Sequence, residues 1–142
     1  MVRPGPLGPP ALRQGRYLVI TGINRETGKP LDGWAHVVQS LQVIFSTRIG
    51  ARIMRRLFGS AVPGLLGKNL EPSTLSAFYS AIIIAVELWE PRFSVRRITY
   101  PATQNSTANL AQGIFGFKLE GDYRPRALQG DFTVDQVKTA YF

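Results

Sequence analysis

Two stretches of the chain repeat apolar residues at the spacing of a helix turn. Trp34, Val37, Val38, Leu41, Ile44 and Phe45 form the first stripe, which predicts a helix with one buried face. Asp32 stands where a helix N-cap belongs, and Gln39, Ser40 and Gln42 lie mostly off the stripe. The pattern fades over 45–47. Leu75, Phe78, Tyr79, Ile82, Ala85, Val86 and Trp89 form the second stripe, with Ser73 or Thr74 as its cap. Ile83 and Ile84 carry apolar surface nearly all round this second helix, so it is central to the domain or presents one face as an interface. Between the two, Arg48 to Phe58 predicts one or two further helical turns, broken at Gly50 and stopped at Gly59. Gly59, Pro63, Gly64, Gly67 and Pro72 make 59–72 a loop.

Beyond the second helix the period changes from 3.6 to 2. Phe93 to Tyr100 reads as a strand, and 101–109 as a polar turn or loop. Phe115, Phe117 and Leu119 alternate with Gly116, Lys118 and Glu120, the pattern of a half-buried strand. Gly116 marks a bulge or a close backbone approach, and Gly121-Asp122 marks a turn. Residues 123–142 are open between a last strand, a short helix and an extended arm. Pro4, Pro6, Pro9 and Pro10 with Gly5 and Gly8 make 1–14 a flexible or polyproline-like arm. Arg16 to Thr21 has the look of a short strand, and Gly22 to Pro30 that of a polar loop. This order predicts an α+β fold, two main helices packed on a small antiparallel sheet. A two-stranded sheet is marginal alone, so strands of neighbouring subunits are expected to complete it. The organisation is an arm over 1–14, one domain over 15–122, and a C-terminal tail or arm over 123–142.

At the helix-to-strand corner stands Leu88-Trp89-Glu90-Pro91-Arg92. Proline disfavours the α conformation at the residue before it, so Glu90 is pushed to extended geometry. Side chains two apart on an extended chain point the same way, which sets Glu90 beside Arg92. Taken alone, this is a surface ion pair worth about 0–1 kcal/mol.

Composition narrows the chemistry. The 142 residues carry a net charge of +8 and no cysteine, so disulfides, zinc-thiolate sites and Cys nucleophiles are excluded. No apolar run approaches the roughly 20 residues of a membrane helix, and the N-terminus lacks the apolar core of a signal peptide. A protein made and kept in the cytoplasm, unless it leaves within a larger assembly, is expected. His36 is the only histidine, within a helix pattern, where a surface or hydrogen-bonded role is commoner than catalysis. Glu87 and Glu90 read as helix-end polarity rather than a glycosidase pair. There is no Walker loop and no Gly-x-Gly-x-x-Gly. No acid falls between Asp32 and Glu71, whereas Arg48, Arg52, Arg55, Arg56 and Lys68 do. At helical spacing those arginines make one basic face, suited to an acidic partner surface; the alternative is a basic nucleic-acid-binding module.

Several spaced motifs resemble the short wedge protein of contractile-tail baseplates, the family of the phage W protein and TssE. Gly22-Ile23-Asn24-Arg25-Glu26-Thr27-Gly28-Lys29-Pro30-Leu31 is similar to the family's Gly-x-Asp-Arg-x-Thr-Gly-x-x-Leu loop, with Asn24 in place of Asp. Gln39-Ser40 sits in the first helix, as in the family. Ser46-Thr47-Arg48-Ile49-Gly50-Ala51-Arg52-Ile53-Met54-Arg55-Arg56-Leu57-Phe58-Gly59-Ser60 resembles its Thr-x-x-Gly-x-Arg-x-Met-Arg-x-x-aromatic-Gly-Ser run. Trp89-Glu90-Pro91-Arg92 matches its most recognisable signature. The resemblance covers about half the chain and implies a non-enzymatic structural subunit without metal or cofactor. It implies a place in the tail baseplate of a virion, assembled in the bacterial host cytoplasm, in several copies around the tail axis. Implied partners are baseplate wedge proteins, the tail sheath protein whose assembly it would nucleate, and tail tube or hub proteins, with no membrane and no specific nucleic acid. Trp89, Glu90, Pro91 and Arg92, with Arg52, Arg55 and Arg56, are the expected partner-binding residues.

Overall fold

A computed structural model describes residues 21–66, 68, 71–101, 105, 108–109 and 115–142. The expected arm over 1–14 lies outside them, as does all of the 16–21 strand but Thr21. Two-residue strands β1 (Gly22–Ile23) and β2 (Pro30–Leu31) pair antiparallel, so the ends of the expected polar loop close into a small hairpin. Asn24 Oδ1 accepts from the backbone N–H of Glu26 at 2.8 Å and of Thr27 at 3.2 Å. An Asp oxygen would do the same, so the Asn-for-Asp exchange keeps the turn. Gln39, off the apolar stripe, clamps this hairpin onto the first helix: its Nε2 donates to Ile23 O at 2.9 Å, and its Oε1 accepts from Arg25 N–H at 3.1 Å.

Helix α1 (Gly33–Ser46) buries Val37, Leu41, Ile44 and Phe45. Asp32 occupies its N-cap in extended geometry, but its side chain makes no cap bond. Helix α3 (Pro72–Trp89) buries Phe78, Ile82, Ala85 and Val86. Its N-cap is Glu71, ahead of the expected Ser73 or Thr74, because a proline without an N–H fits the first helical position. By length and hydropathy α3 does reach the lower limit of a bilayer-crossing helix, contrary to expectation, although its buried stripe packs on α1 and the sheet. The region expected as loop holds one more turn, α2 (Val62–Leu65), with Pro63 at its start.

Residues 48–58 are not helical. Gly50 has φ +89°, and its N–H bonds to Arg56 O at 2.7 Å, a contact no α-helix makes. Ser60 N–H bonds to Thr47 O at 2.9 Å, closing the base of the loop. Gly59, at φ +125°, passes so close to Thr47 that a Cβ would strike its carbonyl. The arginines of this segment therefore share no helical face.

The sheet has three antiparallel strands, β3 (Phe93–Thr99), β4 (Lys118–Tyr123) and β5 (Gln136–Tyr141), in that order. A third strand from its own chain thus extends the two-stranded sheet expected from the sequence, and β4 is central. The expected domain limit at 122 falls inside β4. Gly121-Asp122 is no turn: the two face Val95 and Ser94 on β3, and Lys138 and Val137 on β5. Glycine is needed there because a Cβ would collide with Ser94 O and lie 2.8 Å from the Phe93 ring. The bulge lies instead in β3, between Val95 and Arg97. Phe115 to Phe117 precede β4, and Phe117 exchanges backbone bonds with Phe142 at 2.9 and 3.0 Å. Gly116 is a close approach, bonded through both its N–H and C=O to the Asn105 amide. Between sheet and helices lies one core of Leu41, Ile44, Ile82, Val86, Phe93, Leu119 and their neighbours.

Candidate functional site

Helix α3 ends because Pro91 forbids a further turn after Glu90. Glu90 takes φ −131° and ψ 74° while its N–H still bonds to Val86 O at 2.8 Å. The backbone here is not the extended run expected from the sequence: Phe93 N–H bonds to Glu90 O at 3.1 Å, closing a turn through Pro91 and Arg92. This turn sets Glu90 and Arg92 side by side with both turned inward. Glu90 is 2% exposed and Arg92 7%, so the pair is not the surface ion pair of the sequence reading. It is bidentate, with Arg92 Nε donating to Glu90 Oε1 at 2.6 Å and Nη2 to Oε2 at 2.8 Å. This fork geometry is the strongest form of such a pair.

Arg92 Nη1 lies 3.1 Å from His36 Nδ1 on α1. A guanidinium only donates, so Nδ1 is the acceptor and a neutral ring carries its proton on Nε2. Gly22 of β1 sits against the same ring, where a Cβ would lie 2.8 Å from Cδ2. Arg92 O accepts from Arg124 N–H at 2.7 Å just past β4. The corner thus ties α1, α3, β1 and β3 at one point. Trp34 packs on the neighbouring rings, with its centroid 5.3 Å from Phe93 and 5.6 Å from Tyr123. Burial raises the Tyr123 pKa above its ordinary value, while the Arg92 charge opposes that shift.

The other expected site residues meet this corner through a residue the sequence reading did not single out. Phe58 packs on half-buried Trp89 at 5.1 Å between centroids. On Phe58 rest the guanidiniums of Arg52, at 4.4 Å, and Arg55, at 5.4 Å. Arg52 Nη2 also donates to Thr47 Oγ1 at 3.3 Å. Arg56 is exposed and does not join the stack. His36, for which a hydrogen-bonded role is the commoner expectation, and Gln39 of the Gln-Ser motif thus gain partners that the sequence did not specify, and Phe58 gains a role that it did not assign. Phe58 stood in the aromatic place of the motif run, whereas nothing local links His36 to Arg92, 56 positions away.

Catalytic geometry does not assemble around these groups. Both Glu90 oxygens are held by Arg92, and Glu87 Oε1 accepts from Ser94 Oγ at 3.1 Å. Among the described residues no cluster of His, Cys, Asp or Glu could hold a metal. An open groove of about 420 Å³, walled by Phe45, Phe78, Phe115, Phe117 and Phe142, has no acid in its lining.

Comparison with known proteins gives concordant findings. Residues 32–124 match the family described as baseplate wedge protein gp25. Baseplate protein W of Escherichia phage P2 is 33% identical over 84 residues, 59% of this chain and 70% of that protein. A chain of the postcontracted pyocin R2 baseplate is similar in structure, with TM-score 0.54 and 30% identity over 58% of this chain and 84% of that one. A crystal structure described as a putative tail lysozyme from Geobacter sulfurreducens has TM-score 0.54 and 21% identity, covering 75% of this chain and 85% of that one. At that identity the likeness is one of fold alone.

Proposed function

The chain belongs to the baseplate wedge protein gp25 family, a structural subunit of contractile tail-like particles and part of the virion tail, and from that membership we propose that it docks to wedge neighbours and starts the sheath. The observation that carries the docking reading is the stack running from the buried Glu90–Arg92 pair through Trp89 and Phe58 to Arg52 and Arg55. It couples a rigid interior joint to exposed positive charge. Glu90 and Arg92 serve docking by fixing the surface that Trp89, Pro91 and the arginines present, and Arg56 adds charge at its rim. Prefixed geometry of this kind lowers the ordering cost of association.

Sheath assembly draws on the sheet. Among the described residues, β3 and β5 each have one side that pairs with no strand, and β5 pairs with β4 without irregularity. A sheath strand added along β5 would gain backbone hydrogen bonds over six residues. Removal of this subunit from cells producing the particle should leave tail tubes without sheath in electron micrographs. Normal sheathed tails would refute the role. In a pull-down, the tagged chain should capture wedge and sheath proteins; nucleic acid instead, released steeply by salt, would favour the basic nucleic-acid-binding module.

A further inference from the structure

Ile53 is 82% exposed, Met54 94% and Leu57 79%. They lie in the acid-free window of the sequence, interleaved with exposed Arg52, Arg55 and Arg56. Among the described residues none of these arginines is ion-paired. Such a cluster of large apolar side chains is unusual on a surface that stays in water. It is also built rather than loose. Gly50 N–H bonds across the loop to Arg56 O at 2.7 Å, Phe58 N–H bonds to Arg55 O at 3.0 Å, and Ser60 N–H to Thr47 O at 2.9 Å closes the base. Phe58 anchors the loop to Trp89, and Arg52 and Arg55 lie over Phe58, which restricts where their charges point.

We propose that residues 48–58 form a preassembled finger that enters an acid-rimmed apolar groove on a protein partner. Ile53, Met54 and Leu57 fill the groove, and Arg52, Arg55 and Arg56 pair with carboxylates along its rim. Charge complementarity sets the partner's sign, because the finger offers only cations. The interleaving sets its class. A phosphate backbone would reward the arginines but leave the apolar tip in water, whereas a protein groove satisfies both. The inference rests on the chain being a baseplate subunit and names the chemistry of one of its contacts.

The test uses whole particles. A photo-crosslinking amino acid replaces Met54 in the full chain, expressed with the remaining tail proteins, and the crosslinked peptides are mapped. The expected product joins position 54 to an apolar groove of another tail protein with Asp or Glu at its rim. In parallel, Met54→Asp and Arg56→Glu should each reduce incorporation into purified baseplates at least tenfold, with Arg56→Lys near wild type. Both positions are exposed, and unchanged melting temperatures would confirm folding. Crosslinks to lipid or nucleic acid, no crosslink within the particle, or incorporation of Met54→Asp and Arg56→Glu at the wild-type level would overturn the proposal. Absence of the wild-type chain from baseplates would instead refute the baseplate role itself, which keeps the two failures distinct.

Discussion

Glu90 gives both carboxylate oxygens to Arg92, and Arg92 spends its remaining fork on His36. Removing either charge leaves the other buried without its counter-ion, which typically costs about 3–5 kcal/mol. Arg92→Ala and Glu90→Ala should each lower stability by that order in urea denaturation. The double variant should lose much less than the sum, the signature of a coupled pair. An additive result would mean that the pair contributes packing alone. Because Arg92→Ala threatens the fold, a defect in assembly from it cannot by itself be assigned to lost partner contact; Arg56→Glu separates the two. At this scale the sequence was half legible. The proline announces that the helix stops at Glu90, and the acid and base do lie together, but across a turn rather than along the extended run that the two-residue spacing implies. Their burial is set by packing from distant parts of the chain, such as His36 on α1 against Arg92, which no local pattern reports.

Glycine explains where element boundaries were misread. Gly-Asp is a strong turn signal, yet Gly121-Asp122 lies mid-strand, because a strand glycine also permits the close passage of a neighbouring chain. Gly121→Ala should press a methyl group on Ser94 O and the Phe93 ring, costing about 1–3 kcal/mol as overpacking does. A thermal melt measures it, and an unchanged midpoint would show that β3 can move aside. In the 48–58 segment the arginines fall at helical spacing, but positive φ at Gly50 and Gly59 prevents the helix. By contrast α1, α3 and β3 were legible nearly to their ends, since long stripes facing one core leave little ambiguity. β5 was not, because its alternation is inverted: Val137 and Tyr141 face outward, while Lys138 and Ala140 pair with the core-side residues Gly121 and Leu119.

For the whole molecule, the fold class could be read from the order of periodic segments, while the third strand and the joint between layers emerged only from packing. Titration offers a global check. Burial raises the pKa of both Tyr100 and Tyr123 above the ordinary 10.0. The folded state thus favours the neutral phenols, a contribution complete below that value and lost as pH rises through the folded values. Melting temperature should therefore fall beyond pH 10, and Tyr100→Phe should soften the fall. A curve identical to wild type would assign the alkaline loss elsewhere. The β3 bulge has a consequence for self-association. Were both sheet edges regular, β5 of one copy could join β3 of the next without end, and a subunit stockpiled in the cell would grow into fibres. The bulge beside exposed Arg96 and Arg97 breaks that repeat. One blunted edge and one open edge suit a cap rather than a link, and the proposed start of the sheath requires that asymmetry: a chain that accepts a foreign strand without becoming a polymer of itself.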